Sequence, residues 1–333
     1  MNRRIVLTAI LAVLCALPSV ARASTLSTDV ISMFPQAAGE FAYADLRQAR
    51  TFSWFPQLEQ QMLPARFKQF EQFLASAGID PNSQVEELAW ALVPNTLPTG
   101  AAANTAVPTG EQILGVALGA FQPESAQAYF QAQKLPVVKV REFSLYAFGG
   151  GSGATDLFFC FIDRNTAAFG QRQELEKMIA VRHGEKPSLL NNDELAPLIS
   201  SANGSGVVWS AMGAAYTRLA MQQLVPETAQ FPQAQQLVAK LRAMTIEIIS
   251  GTGVEAHFDA VCATPDDANT FAALLQAGLM YQKYQVQGTN PDLAAMLDGT
   301  SVLPAGDHLG IRLKLTNDQV LALIRRNTFA VKM

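Results

Sequence analysis

Apolar residues along this chain recur with two periods, two and about three and a half, and each switch between them marks an element. Glu40 to Leu46 alternates, with Phe41, Tyr43 and Asp45 on one side, and predicts a strand. From Thr51 to Ala77 the spacing becomes three and four. Leu58, Met62, Phe70, Phe73, Leu74 and Ala77 then form one stripe, as a helix lying on a sheet requires. Pro64 should kink that helix and Gly78 should end it. Val85–Val93 and Ile113–Phe121 predict strands. Residues 94–110 between them, with three Pro, two Gly and no charge, predict a loop.

A helix from Pro123 to about Gln133 follows. Strands come next near Val137–Val140, Phe143–Phe148 and Asp156–Ile162, the last two joined by Gly149-Gly150-Gly151-Ser152-Gly153. A short strand, Ala167–Phe169, leads to helices over Gln171–Val181 and Asp193–Ile199. The order then begins again. Gly206–Ala211 predicts a strand, and Ala214–Arg242 takes the place of the long helix, broken near Pro226 and Pro232. Thr245–Ile249 and Val254–Cys262 are strands, and Thr264-Pro265-Asp266-Asp267-Ala268 starts a helix to about Tyr284. That start has Thr at the N-cap, Pro at the first position and an acid at the third. Gln122-Pro123-Glu124-Ser125-Ala126 stands at the matching point of the first series. A helix near Asp292–Leu297, a strand Leu309–Leu315 and a helix Asp318–Arg325 close the chain. The expected class is α+β: two similar halves, each an antiparallel sheet covered by a long amphipathic helix. Residues 1–23 form a signal peptide, 24–203 the first half and 204–333 the second.

The turn Ala77-Gly78-Ile79-Asp80-Pro81, followed by the strand Val85–Val93, resembles one found in an uncharacterised family of exported bacterial proteins. Those proteins are built from two tandem α+β halves, and the resemblance spans residues 35 to 326. It implies export and the paired fold, and it brings no catalytic residues with it.

Composition narrows the classes further. Of 333 residues 49% are apolar and 16% charged, enough to build a core and too apolar for disorder. Arg3 and Arg4, the apolar run Ile5–Leu17, Pro18 and Ala21-Arg22-Ala23 make a secretory leader cleaved before Ser24. Thirteen apolar residues rise only about 20 Å, too little to span a bilayer. Cleavage removes three of the 24 bases and no acid, leaving 21 against 28 and a net charge of −7. That sign, with no basic run of five, argues against nucleic acid. No later run of 18 apolar residues predicts a transmembrane segment. Cys15 leaves with the leader. Cys160 and Cys262 remain, a candidate disulfide in an oxidising compartment or two buried thiols in apolar strands.

The sequence offers little chemistry. HExxH, CxxC, GxSxG, SxxK and the phosphate-loop pattern are absent, and no metal, cofactor or catalytic residue is nominated. Ser152 lies in a glycine run at a hairpin tip. Asp266 and Asp267 suit a helix N-terminus. Glu255, His257 and Asp259 share one side of a strand, either a proton-relay or metal face or the solvated side of a half-buried strand. Phe52, Trp54 and Phe55 form a groove or part of the core, and Asn203-Gly204-Ser205 matches a glycosylation sequon. The function expected is that of an exported soluble protein of the cell envelope, periplasmic or secreted. It would bind an apolar small molecule or an envelope protein without catalysis, in a cleft between the halves. The alternatives are a hydrolase whose residues converge from distant segments, with His257, Asp259 or His308 as acid–base groups, and a self-associating scaffold.

Overall fold

The computed structural model describes residues 24–62, 65–94, 111–153, 156–224, 232–251 and 253–326. Helix α1 (Thr28–Ile31) leads into β1 (Glu40–Asp45), α2 (Leu46–Ala49), α3 (Phe55–Met62), α4 (Ala65–Ser76) and α5 (Pro81–Gln84). Strands β2 (Val85–Pro94) and β3 (Glu111–Gly119), helix α6 (Pro123–Ala132), and strands β4 (Val137–Val140), β5 (Phe143–Phe148), β6 (Leu157–Phe161) and β7 (Thr166–Gln171) follow. Helices α7 (Arg172–Arg182) and α8 (Leu195–Ala202) precede β8 (Val208–Gly213), α9 (Ala214–Leu224) and α10 (Pro232–Val238). Then come β9 (Leu241–Ser250), β10 (Val254–Cys262), α11 (Pro265–Val286), α12 (Pro291–Asp298), β11 (Thr300–Ala305), β12 (His308–Leu315) and α13 (Asn317–Arg325).

Local chemistry sets these boundaries. Asp45 ends β1 and caps α2, accepting a hydrogen bond from the Gln48 amide at 2.8 Å. Gly78 closes α4 with φ +77°, a conformation that favours glycine, and Asp80 with Pro81 opens α5. Thr264 accepts from the Asp267 amide at 3.1 Å, the N-cap bond expected, and the Asp267 carboxylate accepts from the Thr264 hydroxyl at 2.7 Å instead of from its backbone amide as a full capping box would have it. The start of α9 takes its cap from a distant residue: the Ala214 amide donates to Glu194 Oε1 at 2.6 Å.

All twelve strands join one antiparallel sheet in the order β11-β12-β10-β9-β8-β1-β2-β3-β7-β6-β5-β4. The α+β class and the antiparallel pairing match expectation, but the sheet is continuous. β1 pairs directly with β8, with Tyr43 opposite Trp209 and Phe41 opposite Ala211. On that side of the sheet, here the Trp209 face, Phe34, Phe41, Tyr43 and Trp209 are fully buried with ring centroids 4.9 to 5.7 Å apart. Helices α1, α7 and α8 cover them through Val30, Leu175, Met178, Ile179, Leu195 and Ile199. Where a cleft between the halves was expected, the β1–β8 junction is packed with the protein's own rings. The N-terminal tract adds to the seal. Leu26 is buried, and its amide and carbonyl are both held by the Asn203 side chain at 2.9 Å.

On the opposite side, the Met212 face, two clusters lie side by side. Phe70 and Leu74 of α4 and Phe130 of α6 pack on Tyr146, Phe159 and Phe169. Tyr216 of α9 and Phe271 of α11 pack on Met212, Met244, Ala260 and Leu309. The helix expected over 51–77 is divided between the first of these clusters and a separate, smaller one. Its first part, α3, joins Trp54 and Leu58 to Val320 and Ile324 of α13, while α4 covers the other end of the sheet. The Pro64 kink and, apart from Pro94 at the end of β2, the expected 94–110 loop lie outside the described residues.

The central rings are close-packed with no alternative partner, so truncating one leaves a cavity. Trp209→Ala is expected to lower stability by about 3–5 kcal/mol in denaturant unfolding. Truncating the exposed Leu303 of β11 should change it by less than about 0.5 kcal/mol.

Candidate functional site

The Trp209 face changes character beyond β8. Cross-strand register carries Glu247 of β9 and Glu255, His257 and Asp259 of β10 onto it. Arg312 and Lys314 of β12 lie opposite His257 and Glu255, and His308 lies opposite Val261. Ala256, Phe258 and Ala260 point the other way, toward the Met212 face, so the alternation is that of a strand with one wet side. His257 Nε2 is 2.8 Å from Glu255 Oε1, and its Nδ1 is 3.9 Å from Glu247 Oε2. His308 Nδ1 is 2.9 Å from Asp259 Oδ2, and Lys314 Nζ is 3.6 Å from Glu255 Oε2.

Two carboxyls here are displaced in opposite directions. Burial pushes Glu247 above the ordinary carboxylate range, with Asp259 adding to it and Ser205 and His257 opposing. The hydrogen bond from His257 holds Glu255 below that range against its desolvation, and Lys314 adds charge. The histidines expected as acid–base candidates are thus each paired with a carboxylate. His308 and His257 sit four residues apart in register, roughly 13 Å along the strands. They do not converge on one point. Among the described residues no three His, Cys, Asp or Glu side chains are placed to hold a metal ion.

The remaining expected residues are accounted for by packing. Phe52 stacks on Trp54 with centroids 4.9 Å apart, and Trp54 Nε1 donates to Asn317 Oδ1 at 3.1 Å, so this cluster is core. Asn203 of the sequon is committed to Leu26, and the glycine run makes the β5–β6 turn with Gly149 and Gly151 at positive φ. Cys160 and Cys262 are free thiols. Cys160 lies on the Trp209 face of β6 and Cys262 on the Met212 face of β10, seven strand positions apart. That is on the order of 30 Å, against a Cα separation below about 7 Å for a disulfide. Of the disulfide and the two buried thiols left open by the sequence, this arrangement is that of two buried thiols. Burial pushes the thiols up to about 12 and about 11.

A feature missed in the sequence stands out on α11. One side of this 22-residue helix packs on the sheet through Ala268, Phe271, Ala272, Leu275 and Leu279. The opposite side exposes Leu274 (55%), Met280 (73%), Tyr281 (63%) and Tyr284 (80%). No charge lies between Asp267 and Lys283. The signal was present, since α11 is apolar nearly all round, and such a helix is ordinarily buried on both sides. The concavities are of another kind. One of about 920 Å³ is lined by Asp29, Arg182, Glu185 and Lys186, and one of about 310 Å³ by Ser250, Glu255 and Lys314. No helix of the described residues is long and apolar enough to cross a membrane.

No protein-family model matches the chain, and no curated protein matches it. Two crystal forms of TP0453 from Treponema pallidum are similar in the course of the backbone. Form I has 11% identity and a TM-score of 0.48, covering 94% of this chain and 100% of that one. Form IV has 12% identity and a TM-score of 0.47, covering 88% and 95%. At these values neither a residue role nor an activity carries across.

Two outcomes follow from the site. The denatured, unreduced protein should show the full dithiol mass, and a thiol reagent should label Cys160 and Cys262 only after unfolding. A loss of about two daltons would contradict this geometry. The carboxyls differ in sign. Glu255, with its depressed value, contributes stability above the ordinary carboxylate range that is lost as pH falls through its folded value. Glu247, with its raised value, is unfavourable at neutral pH, a penalty that fades as pH falls. Melting temperatures at pH 7 should therefore fall in Glu255→Gln and rise in Glu247→Gln, and both differences should close in acid.

Proposed function

We propose that this chain is an exported protein of the cell envelope that acts by binding another protein, without catalysing a reaction. The observation that carries the reading is the exposed apolar side of α11. Leu274, Met280, Tyr281 and Tyr284 are all exposed on the side of the helix turned away from the sheet, and contiguous exposed apolar surface marks interaction sites. Aromatic and Met side chains are also those enriched in interface cores. The mainly polar lining of the concavity of about 920 Å³ favours a protein over an apolar small molecule.

Export rests on the leader pattern over residues 1–23, with cleavage before Ser24. The division at 203–204 is supported by strand order. Reading outward from the central pair, β1-β2-β3-β7-β6 and β8-β9-β10-β12-β11 both run through three consecutive strands and then return through later ones. Helices α6 and α11 leave the third strand of each series at the two Pro-acid starts. We read these as halves of one plan, related by a two-fold axis between β1 and β8.

The test is affinity capture from envelope extracts, with Tyr281→Glu/Tyr284→Glu as the control. A protein retained by the mature chain and lost with the double variant is the expected result. Equal recovery by both, or a dissociable small molecule in native mass spectra, would contradict the reading. N-terminal sequencing of the exported chain should begin at Ser24.

A further inference from the structure

The exposed side of α11 has an internal symmetry. Its seam runs Thr270, Ala273, Leu274, Ala277, Met280, Tyr281 and Tyr284, the three-and-four spacing of a helix-pairing stripe. Turned about Ala277, the row maps onto itself in reverse: 270 falls on 284, 273 on 281 and 274 on 280. Each tyrosine then meets a small residue, Tyr284 against Thr270 and Tyr281 against Ala273, while Leu274 meets Met280. Large meets small at the two tyrosine steps, and two flexible apolar side chains meet at the Leu274–Met280 step, which lets two identical helices interlock. We infer that the occupant of this surface is a second copy of the chain, docked α11 against antiparallel α11 across a two-fold axis at Ala277. This rests on the reading of α11 as the recognition surface and names its partner.

Area and charge agree with that occupant. The four large side chains leave roughly 500–600 Å² of apolar surface per copy. A two-fold contact would bury about 1,000–1,200 Å² in all, at the lower limit of specific interfaces. A symmetric contact repels itself if the axis carries charge, and this seam carries none. Asp267 and Lys283 are turned to neighbours in the same chain, Lys240 and Asp298. A lipid surface fits less well. Interfacial helices carry basic residues beside the apolar side, and from Asn269 to Val286 the one base is Lys283. Pairing through the nearby sheet edge is hindered, because Pro304 has no amide hydrogen and the Val302 carbonyl accepts from Gln276 Nε2 at 3.2 Å.

The experiment uses the chain from Ser24 and three variants in it. Sedimentation up to about 100 μM should show the mass doubling with concentration, and Tyr281→Glu should remain monomeric with an unchanged melting temperature at low concentration. Under mild oxidation Ala277→Cys, on the axis, should cross-link to a covalent dimer. Thr270→Cys, about 20 Å from its own copy in the antiparallel pair, should not. A monomer throughout, or cross-linking of both cysteine variants, overturns the proposal. Failure here and failure of the underlying reading are separable. A monomer that sediments with phosphatidylcholine vesicles, or captures a different protein, and loses this with Tyr281→Glu refutes the second copy alone. Indifference of every readout to Tyr281→Glu refutes the recognition surface as well.

Discussion

The pairing of β1 with β8 is the constraint on which the rest of the molecule depends. It places two strands far apart in sequence at the middle of a twelve-stranded sheet, and everything else is added outward from them. Trp209 and Tyr43 face each other there, fully buried, with Phe41 and Phe34 beside them. Burial pushes the Tyr43 phenol well above its ordinary value, and its hydroxyl bonds to Ser24. A cleft at this junction would expose the largest of the fully buried side chains. The apolar surface at the junction is consumed in joining the two series of strands.

Joining them also decides where helices are needed. Strands β8 to β5 are covered on both faces, which explains why β1, β6 and β7 are buried almost throughout. Strands β9 to β12 are covered mainly on the Met212 face, and their other side carries the charged row of Glu247, His257, Arg312 and their neighbours. The acids and bases of that row are matched across strands, as a wet antiparallel face allows. The chain meets water on a sheet face in one region and on the outer side of α11 in another. Only the second of these is apolar.

Much of this was legible from local pattern. Strand β10 could be read from its alternation alone, down to which side carries Glu255, His257 and Asp259. The start of α11 could be read from Thr264 and Pro265, because a cap is a local interaction. The long-range features were not legible. Nothing near Thr51 says that Trp54 and Leu58 will pack on Val320 and Ile324, since that contact depends on where the chain's last helix returns. Compartment and count leave Cys160 and Cys262 open as a disulfide or as two buried thiols, because the strand order that separates them cannot be read from local pattern. The outer side of α11 was in plain view as an excess of apolar positions.

The central claim is that the outer side of α11 is covered when the protein is at work. Hydroxyl-radical footprinting measures this most directly, comparing Met280, Tyr281 and Tyr284 in the dilute purified chain with the same residues in intact envelopes. The account expects rapid oxidation of all three in the dilute chain and strong protection in the envelope, while the exposed Leu303 reacts alike in both. Equal oxidation of the α11 residues in the two settings would contradict it.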